Sequence, residues 1–332
     1  MSEVGRATLR WTCWGLVLGA LTGHLVPGRA AETRELLRDA GFVRGFALLA
    51  PQAGAGAVGR IAGRELTEPI WEVAQWHSRF PCRGQEGEVS GSWRVANEAK
   101  WLEMATSAAG DTTLTLGVDT RPEYAGRLRT AASEPWVHLL LQQGIEDAPP
   151  LTRLAALELR FEFGLEEAET FRPEGYTPAL HAAQFQVVLT LNHTRRGAPG
   201  FGDYLWFVVP LYDDRHDVPP AYVAQDFAVT QGKLIFNPGG RALGLRPLRV
   251  GEWQTFAGDL RPWLERALET AWARGYLVQG RERADYRVAH LNLGWEVPGL
   301  NRVAMRVRGV SLRATLAEAQ PLAPAPQERP AE

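Results

Sequence analysis

Short runs of alternating or wholly apolar residues recur along almost the whole chain, and only one stretch has a helical period. About a dozen such runs follow one another without intervening helices, which excludes a parallel sheet wound by helical crossovers. They predict an all-β fold of two antiparallel sheets packed face to face, with one late amphipathic α-helix. In residues 154–163, Leu157, Leu159, Phe161 and Phe163 alternate with Glu158, Arg160 and Glu162, which is a strand with one dry and one wet face. Residues 41–50, 70–80, 93–104, 112–118, 135–143, 184–192, 233–236, 286–293 and 303–312 also read as strands, and residues 53–59 read as a Gly/Ala-rich loop. Residues 32–40 read as a short helical piece or an unstructured leader.

The helix begins after Asp259, a capping residue, with Pro262 in its first turn. Leu260, Trp263, Leu264, Ala267, Leu268, Ala271 and Trp272 form its apolar stripe, and Gly275 suits a left-handed close. It is expected against an outer sheet face or across one end of the sandwich.

Residues 202–217, GDYLWFVVPLYDDRHD, hold the longest apolar strand signal. Both faces are apolar, so both are expected to be covered. Pro210 lacks an N–H and implies a sheet edge or a bulge. The run ends in Asp213, Asp214, Arg215, His216 and Asp217, a charged cluster that is either a site at the rim of a sheet or a salt-bridged turn.

A formal charge of −2 over 332 residues gives no general attraction to nucleic acid or to an anionic membrane. Twelve tryptophans are many. Most belong in a core, and two or three exposed ones would form a binding surface. Arg6 and Arg10 precede an apolar stretch, residues 11–26, and Gly28 and Ala30 are small residues at the right spacing for cleavage after Ala30. Residues 1–30 are therefore expected to be a signal peptide of a secreted or periplasmic protein, with no membrane span left after processing. Residues 31–318 form one sandwich domain, and residues 319–332 are a Pro/Ala-rich tail that cannot order itself. Cys13 falls in the leader, leaving Cys82 alone as a buried, inert thiol.

No phosphate loop, dinucleotide fingerprint, nucleophile elbow or H-E-x-x-H pair is present. The candidate chemistry lies in carboxylates. Glu296, between Trp295 and Pro298, is a candidate proton donor with its pKa raised by the aromatic neighbour; Asp213, Asp203 and Glu98 are candidate partners. Trp76, Trp101, Tyr204, Trp206 and Trp295 are candidate stacking platforms for sugar rings, with Gln184, His181 and Arg215 as polar contacts. His181, His193 and His216 share no metal-like spacing, and His138, inside an apolar strand, reads as a core histidine. No metal or cofactor is assigned; a structural calcium ion on Asp213, Asp214 or Asp217 is the alternative.

Two short motifs resemble glycoside hydrolase family 12, small endoglucanases with a concanavalin A-like jelly roll. Tyr204-Leu205-Trp206-Phe207 resembles that family's Y-E-I-M-I-W strand, and Gly294-Trp295-Glu296-Val297-Pro298 resembles its later G-T-E-P-F segment. The resemblance covers the C-terminal third. It implies a jelly-roll sandwich and places the family's acid/base on Glu296. The family's nucleophile falls on Leu205, which cannot perform that role. Three readings stay open: a hydrolase or lyase acting on a polysaccharide, a glycan-binding module that does not cleave, and a structural envelope protein. A polysaccharide or oligosaccharide is the expected partner in the first two, and the oligomeric state is not determined by sequence.

Overall fold

A computed structural model describes residues 32–65, 67–84, 92–226, 230 and 232–318. The expected leader and tail lie outside the described residues. The first seven strands are β1 (Thr33–Glu35), β2 (Gly45–Leu49), β3 (Ala57–Ala62), β4 (Trp71–Ala74), β5 (Ser92–Ala96), β6 (Lys100–Thr106) and β7 (Thr112–Asp119), followed by a one-turn helix α1 (Thr120–Glu123). Then come β8 (Val137–Gly144), β9 (Leu154–Thr170), β10 (Gln184–His193), β11 (Tyr204–Asp213), β12 (Tyr222–Asp226), β13 (Lys233–Asn237) and β14 (Trp253–Asp259). Helix α2 (Arg261–Ala273), β15 (Tyr286–Val297) and β16 (Asn301–Leu316) complete the order.

Two sheets result. One runs β14-β9-β16-β7-β6-β5, with β1 also on β16; the other runs β12-β13-β11-β10-β15-β8-β4-β2-β3. Their facing surfaces share one apolar core, to which Leu114, Leu116, Phe163 and Met305 contribute from one side and Phe185, Leu189, Phe207, Leu291 and Leu293 from the other. The sandwich is antiparallel except that β2 pairs β4 and β11 pairs β13 in parallel. In the first case β3 hairpins from β2 and the chain returns on the other side of β2; in the second the chain passes outward to β12 and hairpins back as β13 between β12 and β11.

Several sequence expectations change in detail. Residues 93–104 are not one strand but the hairpin β5–β6, because Asn97 Oδ1 accepts the N–H groups of Ala99 and Lys100 and turns the chain. Residues 33–35 pair with β16 and are not helical. Strands β12 and β14 lie outside the stretches that read as strands in the sequence. Cys82 is buried, and burial pushes its thiol up to about 11, so it remains protonated.

Helix α2 buries Leu264, Ala267, Leu268 and Ala271 and packs against β9 and β11, spanning the two sheets at one side. Gly275 takes φ 82° and closes it, as expected. The residue entering the helix is Leu260, but Asp259 Oδ1 still accepts the N–H of Arg261, at 3.0 Å, and that of Leu157 on β9, at 2.8 Å. Replacing Asp259 with Ala orphans both donors and is expected to cost about 0.5–2 kcal/mol, read from the urea unfolding midpoint.

Candidate functional site

The face of the nine-stranded sheet turned away from the core carries an ordered grid of side chains. Residues directly opposite on neighbouring strands share a face. His138 on β8 faces Glu296 on β15, Glu296 faces Gln184 on β10, and Gln184 faces Asp213 on β11. The next rows are Leu140–Gly294–Gln186–Pro210 and then Gln142–Asn292–Val188–Val208. A further row brings His290, Thr190, Trp206 and, on β13, Ile235 together. Six residues of β10 separate the first row from the last, about 20 Å of strand.

A groove of about 540 Å³ lies over this grid. Trp76, Trp136 and His138 border it near Glu296, Trp206 and Asp226 near the other end, and Tyr222 also lines it. Gly294 lets β15 approach β8 closely here, since a Cβ there would lie 2.2 Å from the carbonyl oxygen of Leu139.

Glu296 is the most constrained group of the groove. Gln186 Nε2 donates to its Oε1 at 2.8 Å, and Trp136 Nε1 donates to its Oε2 at 3.0 Å. His138 Nε2 lies 3.5 Å from the same Oε2. His138 Nδ1 is 2.9 Å from the carbonyl of Trp136, a contact that requires a proton on Nδ1. Trp136 stacks on the His138 ring, with centroids 5.6 Å apart, and Trp76 meets it edge-on.

Burial pushes the Glu296 carboxyl up, but the hydrogen bond and charge of His138 and the Trp136 and Gln186 donors outweigh it and hold the group below its ordinary 4.5. The expectation of a raised pKa is therefore corrected: the aromatic neighbour that matters, Trp136, donates a hydrogen bond to the carboxylate and does not merely desolvate it. A depressed carboxyl contributes stability above its unfolded value and loses it as pH falls through the lowered folded value. The carboxyl carbon of Glu296 should titrate below pH 4.5 by NMR, and Trp136→Phe should move that titration upward; an unmoved titration removes Trp136 as a cause. Tyr222 sits in the same field. Burial and then the Glu296 charge push its phenol up to about 12, so it stays a donor.

The other sequence candidates are distributed differently. Asp213 is buried, and both its oxygens are taken: Arg215 Nε donates to Oδ1 at 2.8 Å, and Arg215 Nη2 and Gln184 Nε2 donate to Oδ2 at 2.6 and 2.9 Å. Arg215 also donates to the carbonyl of Pro178, so it braces the rim and does not face the groove as a free cation. Asp214 accepts from Thr170, Asn301 and the N–H of Ala183. The charged cluster is thus the salt-bridged turn, and its oxygens are not arranged for calcium. Among the described residues no three His, Cys, Asp or Glu side chains converge as a metal site would require.

Trp295, next to Glu296, points the opposite way: it is fully buried and donates Nε1 to the Leu116 carbonyl of the other sheet. Trp101 lies on the other sheet, over Gly117 and under the Arg302 guanidinium, and Glu98 is exposed in the β5–β6 turn. Asp203 pairs with Lys233 beside a separate cavity, which Tyr204 also lines. Tyr204 meets Trp206 edge-on at 5.3 Å, so the aromatic row continues past the end of the groove. His181 is buried, accepting the Thr177 N–H on Nδ1 and donating from Nε2 to the Arg129 carbonyl. It is scaffolding for the loop of residues 129–136. Arg129 holds that loop through the carbonyls of Ala131, Ala132, Glu134 and Leu180 and stacks 5.2 Å over Trp136.

Of the candidates, the groove therefore gathers Glu296, Gln184, Trp76 and Trp206. Sequence reasoning missed Trp136, Gln186, Tyr222 and the outward aim of His138. The alternation of residues 135–143 holds the signal for His138, since Val137, Leu139 and Leu141 face the core and put His138 on the other side.

No protein-family model matches the sequence, and no curated protein does. Solved structures that the chain is similar to include the endoglucanase cel12A from Rhodothermus marinus, at 10% identity over 68% of this chain and 93% of that one, TM-score 0.36. A family 12 xyloglucanase from Bacillus licheniformis aligns at 10% identity over 74% of this chain and 100% of its own, TM-score 0.38. The xyloglucanase domain of NopAA, a type three effector from Sinorhizobium fredii solved with cellobiose, aligns at 12% identity over 69% and 96%, TM-score 0.33. The similarity is distant and assigns no residue of this chain a role.

Proposed function

We propose that this protein is an exported β-sandwich that holds a segment of polysaccharide along the groove of its nine-stranded sheet without cleaving it. One observation carries the reading. The groove bordered by Trp76, Trp136, Trp206 and Tyr222 carries its two lining carboxylates, Glu296 and Asp226, near opposite ends, and Asp213, which shares the row of Glu296 two strands away, has both oxygens taken by Arg215 and Gln184. Glycoside hydrolysis needs a working pair about 5 to 9.5 Å apart. Binding needs only aromatic faces for pyranose rings and polar groups for hydroxyls. Polar side chains that line the groove, among them Asn292 and Gln225, support this reading as partners for sugar hydroxyls. Export follows from the leader read in the sequence, with cleavage after Ala30.

A panel of neutral polysaccharides and oligosaccharides tests this, scored for retention of the protein and for release of reducing ends. Retention without release is expected. Release that disappears in Glu296→Gln would show a hydrolase instead. N-terminal sequencing of the exported chain should begin at Ala31.

A further inference from the structure

A second cavity, about 560 Å³, lies between α2 and the β12–β13 edge. From α2 it is lined by Trp263, Arg266, Thr270 and Arg274; Tyr222 and Asn237 face them from the strands. Arg266, Thr270 and Arg274 recur every four residues and so form one stripe of the helix. The charge along that stripe is not compensated. The glutamates of α2 are engaged elsewhere, Glu265 by Arg261 and Glu269 by Arg283. Among the described residues, neither Arg266 nor Arg274 lies in an ion pair. Arg266 sits 5.8 Å over the Trp263 ring, and Arg274 Nη1 donates only to the Val223 carbonyl, at 3.4 Å.

Each of these guanidinium groups, without an ion pair among the described residues and set in a cavity with an aromatic wall, is suited to a planar or tetrahedral oxyanion, which accepts its N–H groups in pairs. The groove next door has the opposite character, with Glu296 and Asp226 on its border. Tyr222 lines both cavities and is their shared wall. An anionic group is therefore disfavoured in the groove and favoured one step away, across a single aromatic ring.

We infer that this pocket binds an anionic substituent, a carboxylate or sulfate, of the same polysaccharide whose uncharged ring faces lie in the groove. The ligand is then an acidic polysaccharide. This rests on the glycan-binding reading, and the test separates the two. Calorimetric titration compares a neutral oligosaccharide with its carboxylated and its sulfated counterparts. In parallel, free glucuronate and inorganic sulfate are titrated while the Trp263 indole N–H is followed by NMR.

An acidic oligosaccharide is expected to bind about tenfold more tightly than the neutral one at low ionic strength, with the advantage lost at high salt. Whichever of the two acidic forms gains more identifies the substituent. Arg266→Gln with Arg274→Gln should abolish the advantage and the Trp263 response while leaving affinity for the neutral oligosaccharide unchanged. Both residues are exposed, so the fold should be retained. Neutral binding with no acidic advantage and no Trp263 response overturns the pocket and leaves the groove standing. A Trp263 response to either anion that depends on the arginines, without any oligosaccharide binding, upholds the pocket and overturns the groove.

Discussion

Replacing Lys100 with Met is expected to destabilise the protein by about 3–5 kcal/mol. Lys100 opens β6 and is fully buried, yet its ammonium donates to Ser78 Oγ at 2.6 Å and forms an ion pair with the equally buried Glu123 of α1. Glu123 also accepts from Ser78 Oγ at 2.7 Å and from the N–H of Arg79 at 2.6 Å. One carboxylate thus joins the segment after β4, the start of β6 and the helix after β7. Burial pulls the Lys100 pKa down, and the charge and hydrogen bond of Glu123 restore only part of the loss. The pair is therefore costly to enclose but worse to break, since removing the lysine leaves an uncompensated buried carboxylate. The double variant Lys100→Met with Glu123→Leu should recover most of the loss, because two apolar groups need no compensation. Urea midpoints for both single variants and the double variant give the coupling. A single Lys100→Met variant that loses less than about 1 kcal/mol would contradict this account.

Two tryptophans, nearly alike in sequence context, should separate stability from binding. Trp295→Ala empties a fully buried site on the core face of β15 and removes the indole bond to the Leu116 carbonyl, so a loss of about 3–5 kcal/mol is expected. Trp206→Ala removes a ring that borders the groove and bonds only weakly to Thr230, at 3.5 Å. Its stability should change little, and its glycan affinity should fall by about 2 kcal/mol, roughly thirtyfold. Thermal unfolding and glycan titration of both variants decide the matter. A Trp206→Ala variant that unfolds early but binds as before would move Trp206 into the core and remove it from the site.

The contrast between these residues shows what a strand pattern conveys. Alternation fixes parity: Trp295 and Glu296 are neighbours in an extended strand, so they cannot share a face. That conclusion needed β15 to continue as far as Val297, whereas the expected strand ended at residue 293. The same parity makes His138 a neighbour of Glu296 only once β8 and β15 are known to pair, with His138 opposite Glu296. Trp136 escaped notice for another reason. It precedes its strand, and its position depends on Arg129 and His181, which hold the loop through backbone carbonyls that no side-chain pattern reports.

The all-β class, the amphipathic helix with its glycine close, the buried thiol and the candidacy of Glu296 were legible in the chain, because each follows from local periodicity, capping chemistry or composition. Which partners each carboxylate receives follows from the folded sheet alone. Asp213 and Glu296 look equally available in the chain, but lateral pairing gives one an arginine and a glutamine on both oxygens and the other three donors beneath a groove. Strand order and register are long-range properties of the sheet, and they set those partners.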